Sequence, residues 1–151
     1  MLTKLKYLTS GESHGQGLLG ILDGIPAGLE ISESEIRTQL KRRQRGYGRG
    51  GRMKIETDFA EILGGVRHGK TMGSPVGLIL KNRDWENWEN KMDVNINDQP
   101  GKKITLPRPG HADMVEDVRS DGANDPRGGG SQSARLTFGL VAAGSQMKAL
   151  M

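Results

Sequence analysis

Ser32-Glu33-Ser34-Glu35-Ile36-Arg37-Thr38-Gln39-Leu40-Lys41-Arg42-Arg43-Gln44-Arg45-Gly46-Tyr47-Gly48-Arg49-Gly50-Gly51-Arg52 falls into two parts with different physics. In the first part Ser32 and Glu35 have the spacing of a capping box, and Ile36 and Leu40 lie four apart on one face. Together they predict a helix from about Glu33 to Arg43. In the second part, residues 42–52, five arginines alternate with four glycines. Guanidinium groups stay charged at every working pH and bind phosphate and carboxylate bidentately. Glycines let the backbone turn tightly and come close to a ligand. The helix therefore delivers a cationic loop from its C-terminus, the end where the helix dipole favours cations. Such a loop is built to hold something strongly anionic, either a small phosphorylated molecule or a nucleic acid.

The sequence on either side predicts strands. Leu5 to Ser10 alternates and ends at Gly11, and Leu18 to Leu22 is a short apolar run closed by Asp23-Gly24-Ile25-Pro26-Ala27-Gly28, so these two are expected to pair. Beyond the arginine loop, Met53 to Phe59, Glu61 to Val66 and Val76 to Lys81 read as short strands. Residues 82–103 are polar and irregular, with Trp85 and Trp88 as anchors. From Ala134 the period changes, and Leu136, Leu140, Ala143, Met147 and Leu150 predict the buried stripe of a helix that is still running at Met151. The 151 residues are expected to form one unit, with no repeat, linker or internal boundary. Leu, Ile, Val and Phe make up only about a fifth of the chain, thin for a packed core.

Composition narrows the function classes. The net charge is +4, with both signs abundant, so the clustering of arginine matters more than the total. There is no cysteine, which excludes thiolate and disulfide chemistry and suits a reducing cytosol. No apolar run reaches membrane-spanning length and no signal-peptide h-region is present, so a soluble cytoplasmic protein without a membrane partner is expected. No metal site is predicted. Gly15-Gln16-Gly17-Leu18-Leu19-Gly20 matches the dinucleotide fingerprint literally. That motif needs a long helix starting inside it, however, and Gly24 and Pro26 interrupt the segment that follows.

Three loops carry candidate chemistry. Gly11-Glu12-Ser13-His14-Gly15 places a histidine between glycines at a strand end, where it titrates near neutral pH beside the Ser13 hydroxyl; an incidental turn histidine is the competing reading. In Arg108-Pro109-Gly110-His111-Ala112-Asp113, Arg108 can clamp an anion, His111 move a proton and Asp113 orient the imidazole, against a plain surface ion pair. Gly128-Gly129-Gly130-Ser131-Gln132-Ser133 precedes the last helix, and glycines before a helix start expose backbone N–H groups to a phosphate; an N-cap serine alone would not need them. His68, the third histidine, reads as structural.

In order and spacing, these blocks, together with Arg67-His68-Gly69-Lys70-Thr71-Met72-Gly73-Ser74-Pro75 and Ser133-Ala134-Arg135, resemble the chorismate synthase family along the whole chain. The resemblance implies an α/β chain of the α+β type, a β-α-β sandwich incomplete here because the family's chains are more than twice as long. It also implies a homotetramer. The implied reaction is the anti-1,4-elimination of phosphate from 5-enolpyruvylshikimate 3-phosphate to give chorismate, with reduced FMN as cofactor and NADPH where a member reduces its own flavin. By motif matching, Arg43, Arg49, Arg108 and Arg135, with Arg52 second, grip the substrate or, at Arg43 and Arg49, NADPH. His14 protonates the departing phosphate, His111 acts near flavin N1, and Ser13 joins a proton relay from flavin N5. Ser131, Gln132 and Ser133 match a flavin-contacting segment. The chain departs from the family at Arg119-Ser120, where Lys-Tyr is usual, at Ser131 in place of Arg, and at Leu136 in place of Glu. The flavin segment is thus expected to have changed more than the substrate pocket. Two other classes remain open at this stage, a non-catalytic anion-binding homologue and an RNA-binding module using the Arg-Gly loop.

Overall fold

The structure is a computed structural model that describes residues 4–45, 57–95, 102, 104–127 and 132–150. Its centre is a four-stranded antiparallel sheet in the order β1 (Lys6–Gly11), β2 (Gly17–Asp23), β6 (Val76–Lys81), β3 (Glu61–Gly64). A small hairpin of β4 (Val66–Arg67) and β5 (Lys70–Thr71) stands beside it. Helices α1 (Glu33–Gln44) and α3 (Thr137–Met147) pack against each other over one face of the sheet, and the short α2 (Asp113–Arg119) lies between them in sequence. Helices beside antiparallel strands make this an α+β fold.

Alternation along the strands creates the core. Leu18 and Leu22 on β2 and Val76, Leu78 and Leu80 on β6 turn inward and meet Ile36 and Leu40 of α1 and Phe138, Ala142 and Ala143 of α3. The outward residues Leu8, Leu19, Ile21 and Leu63 stay exposed. Ser32 caps α1 as its spacing predicts, accepting from the Glu35 amide at 3.3 Å. The predicted helix is present and runs one residue longer.

β1 and β2 pair as expected, and β6 has the predicted bounds. Gly17 begins a strand, so the literal dinucleotide motif opens no helix. Three expectations are corrected. The single strand over Glu61–Val66 is two, because Gly65 adopts φ 82° and a side chain there would collide with the Pro75 carbonyl. Of the strand expected at Met53–Phe59, residues 53–56 lie outside the described residues and 57–59 are not in a strand. The stripe on the last helix holds only in part: Ala143 is buried and Leu136 and Met147 pack against the core, but Leu140 is 60% exposed and Leu150 42%, while Phe138, Gly139 and Ala142 face inward. Gly139 lies against the Tyr7 ring and near Gly20, so small residues bring α3 close to the sheet and leave the larger Leu140 outside. Helix α2 was not anticipated.

Leu40 has no solvent exposure at the meeting of α1, α3 and the sheet. Leu40→Ala is expected to lower unfolding free energy in urea by about 2–5 kcal/mol, whereas exposed Thr38→Ala changes it by about 0.5 kcal/mol or less.

Candidate functional site

Arg43 leaves the last turn of α1, and Arg135 sits in the single 3-10 turn Ala134–Leu136 that introduces α3. Packing of α1 on α3 brings both guanidiniums to Asp58, on the segment returning toward β3. Arg43 Nη2 makes a close ion pair with Asp58 Oδ2, and Arg135 Nη2 lies 3.6 Å from Oδ1. The three side chains are 13%, 10% and 1% exposed. Arg43 also reaches the Ala134 carbonyl and the Thr137 hydroxyl at 3.5 and 3.4 Å. Arg135 Nη1 donates to the Ser13 carbonyl at 3.0 Å and lies 3.5 Å from Asn82 Oδ1. Asn82 in turn donates to the Gly15 carbonyl at 2.9 Å.

Residues far apart in the chain thus form one buried polar node. Charge is buried only when paired, and here two guanidiniums share one carboxylate. Arg43 Nε and Asp58 Oδ1 are buried without hydrogen-bond partners among the described residues. Among the described residues two guanidiniums meet one carboxylate at this node, a set of donors that suits an anionic group such as phosphate or carboxylate.

His14 occupies the β1–β2 loop above this node. The loop closes through the Gly15 amide to the Glu12 carbonyl at 3.2 Å, and the His14 ring lies 4.1 Å from that of Trp88. Gly11 starts the loop at φ 102°, where a side chain would strike the Gly17 carbonyl. Burial, and then the nearby Asp125 carboxylate, push the Glu12 carboxyl above its ordinary range.

Arg108 and His111 assemble around Asp113 at the start of α2. Arg108 Nε and Nη2 bind the two Asp113 oxygens at 2.6 and 2.7 Å, and the Arg108 amide adds a bond at 3.0 Å. His111 Nδ1 lies 2.7 Å from Asp113 Oδ1, so the carboxylate orients the imidazole as its spacing predicts. The hydrogen bonds from the Arg108 side chain hold the Asp113 carboxyl far below its usual range despite burial. Two of the three guanidinium nitrogens of Arg108 are therefore engaged within the loop, which corrects the picture of Arg108 as an open clamp.

Arg49, Arg52 and Ser131 lie outside the described residues. Gln132 Nε2 donates to Glu116 Oε2 at 2.7 Å, and Glu116 is itself paired with Arg119. Ser133 accepts from the Arg135 amide at 3.3 Å and starts the turn that aims Arg135. A hollow of about 350 Å³ between the β4–β5 hairpin and the N-terminal half of α1 includes His68 in its lining but none of the predicted site residues. His68 has φ 49° in the hairpin turn, in keeping with a structural role. No helix among the described residues is long and apolar enough to cross a membrane.

The chorismate synthase family model matches residues 5–151. The chain belongs to the chorismate synthase family. The chorismate synthase of Aquifex aeolicus is 53% identical over 148 residues, taking in 97% of this chain and 37% of its own. That of Chlorobium luteolum is 54% identical over 143 residues, 93% of this chain and 36% of its own. A crystal structure of chorismate synthase superposes with a TM-score of 0.70 at 40% identity, covering 99% of this chain and 34% of that one. The chain spans a little over a third of the length of the chorismate synthases it matches.

Two residues of the node, Asp58 and Asn82, were not found in the sequence. A single acid or amide carries no spacing signal, and their roles appear only when α1, β6 and the turn before α3 meet. Asp58→Asn would remove the carboxylate on which the Arg43 and Arg135 guanidiniums converge. It is expected to cost about 3–5 kcal/mol of unfolding free energy in urea. The Asp113 carboxylate is held below its ordinary range, so its stabilisation is complete above about pH 4 and fades as pH falls further. Urea unfolding at pH 5, 4 and 3 should show the parent chain losing more stability than Asp113→Asn.

Proposed function

We propose that the chain is the N-terminal part of a chorismate synthase that binds 5-enolpyruvylshikimate 3-phosphate and takes part in 1,4-elimination of its phosphate. The observation that supports this most directly is the convergence of the Arg43 and Arg135 guanidiniums on Asp58 beneath Ser13. The substrate carries a phosphate and two carboxylates, and guanidinium forks are the side chains that grip such groups. Arg43 and Arg135 supply two of them, with Arg49 and Arg52 as further donors from the arginine loop.

In the reaction the C–O bond to phosphate breaks, the C6 proton is lost and a new double bond forms, so a proton must meet the leaving oxygen. His14, at the open end of the node, holds that proton. His111, its Nδ1 set by Asp113, would move a proton beside the flavin. Ser13 would belong to the same proton relay. Reduced FMN, when bound, supplies transient electron density to the departing phosphate's allylic system. Gln132 and Ser133, at the helix start next to Arg135, would be the described residues that hold it. NADPH is used only if the flavin is reduced in place, and it would share Arg43 and Arg49. A cytoplasmic homotetramer completes the proposal.

One observation favours a second reading, an anion-binding homologue without turnover: the Gln132 amide already binds Glu116, beside the departures at Arg119 and Ser131.

Anaerobic incubation with photoreduced FMN and substrate should release phosphate. Saturable substrate binding with no release would support the second reading, and neither binding nor release would refute both. In a chain that turns over, His111→Ala should lower kcat by about 100-fold or more with little change in substrate affinity. Arg49→Ala should instead weaken binding by about 1.5–3 kcal/mol. Isothermal titration and single-turnover kinetics distinguish the two.

A further inference from the structure

A histidine in a glycine-flanked loop has no intrinsic orientation, yet proton transfer requires its nitrogen within about 2.6–3.2 Å of the accepting atom. The residues that restrict it can be traced. Asn82, at the end of β6, anchors the β1–β2 loop twice: its side chain donates to the Gly15 carbonyl at 2.9 Å and its amide to the Gln16 carbonyl at 2.9 Å. Its Oδ1 accepts from the Asp84 amide at 3.1 Å. Asp84 Oδ2 then accepts from Trp88 Nε1 at 3.0 Å, while Oδ1 is bound by Asn87 at 2.6 Å. The Trp88 amide closes a turn onto the Trp85 carbonyl at 2.8 Å. The indole is therefore held through both its ring nitrogen and its backbone, and it meets the His14 imidazole at 4.1 Å between centroids, tilted by 56°.

Trp88 does not belong to the hydrophobic core cluster of the described residues; its ring meets the His14 imidazole and the Lys91 ammonium, the latter 5.1 Å from the ring centroid. One residue, Asn82, sets both the loop that carries His14 and the turn that carries Trp88. Arg135 also lies against Asn82, which refers the two rings to the cationic node.

We infer that Trp88 is a positioning residue for His14, its indole fixing the plane of the imidazole relative to the Arg43–Asp58–Arg135 node. The inference rests on the reading of His14 as the proton donor to the departing phosphate. Trp88 itself touches no reacting atom in this scheme. An aromatic ring restrains a neighbouring ring by edge and face contacts that an aliphatic side chain of similar bulk lacks.

The test uses Trp88→Leu, which removes the ring, Trp88→Phe, which keeps a ring without the N–H, and Asp84→Ala, which releases the indole while leaving it in place. The first readout needs no activity. In the 151-residue chain the His14 imidazole C–H signals, assigned by their loss in His14→Ala, should be displaced upfield by the indole ring current. The displacement should vanish in Trp88→Leu, shrink in Asp84→Ala and persist in Trp88→Phe. Unchanged His14 signals in a Trp88→Leu chain that circular dichroism shows to be folded would overturn the inference. If that variant does not fold, unchanged signals in folded Asp84→Ala would do the same. The second readout is turnover with reduced FMN and 5-enolpyruvylshikimate 3-phosphate. Trp88→Leu should lower kcat by about 10- to 100-fold with KM changed by less than about threefold, and Trp88→Phe should restore most of the loss. A loss confined to KM would count against positioning. If the parent chain binds no substrate, the proposed function fails, while the resonance comparison still decides whether Trp88 holds His14.

Discussion

A carboxylate withdrawn from water must be neutralised by whatever the fold brings to it, and at Asp58 the fold brings two guanidiniums from distant parts of the chain. That requirement ties together three otherwise independent choices. Helix α1 must end where Arg43 can reach the segment before β3. The turn before α3 must point Arg135 the same way, and the two helices must lie side by side to do both. The apolar contacts of Leu40 and Phe138 hold the helices on the sheet, but greasy surfaces slide and rotate at little cost. The paired charges specify one alignment, since a small rotation would leave a buried charge alone.

The proportions of that node also bear on function. A purely structural ion pair balances one charge with one, whereas here, among the described residues, two cations meet at one anion. Phosphodiester binders expose their basic side chains along a surface, where neutralised phosphates release counterions. The Arg43 and Arg135 side chains are largely buried, held by backbone carbonyls and by Asp58. This arrangement disfavours the RNA-binding reading and suits a compact, multiply charged metabolite.

How much of this was legible in the sequence followed how local each signal is. The bounds of α1 depend on a cap and on apolar spacing within one helix, and β6 on a short apolar run, and both were read closely. The inward face of α3 depends on how near the helix comes to the sheet. Gly139 against Tyr7 permits the close approach, so Ala142 and Ala143 are buried while the larger Leu140 is exposed. Counting large apolar residues selects the wrong face whenever small residues make the contact. Helix α2 inverts the usual pattern altogether, burying Asp113 and Glu116 and exposing Met114, Val115 and Val118. No period could reveal it, because its inward contacts are to arginine and glutamine. Within the site, Ser13, His14, Arg43, Arg108, His111 and Arg135 stood out as types and motifs. Asp58, Asn82 and the bearing of Trp88 on His14 are products of tertiary proximity.

The two acid-centred groups differ in a way that matches a division of chemical labour. At Asp58 one carboxylate is shared, among the described residues, by two arginines. At Asp113 one carboxylate takes a bidentate arginine and a histidine nitrogen together. The guanidinium keeps that carboxyl ionised, and an ionised carboxylate beside Nδ1 favours the tautomer that carries its proton there. Arg108 therefore acts on His111 through Asp113: it stabilises the acid that orients the base. An elimination that expels phosphate while shedding a proton calls for both kinds of site, one cationic and one proton-handling. On the proposed reading, mixing them would fail. An arginine pair at Asp113 would displace the imidazole it has to hold.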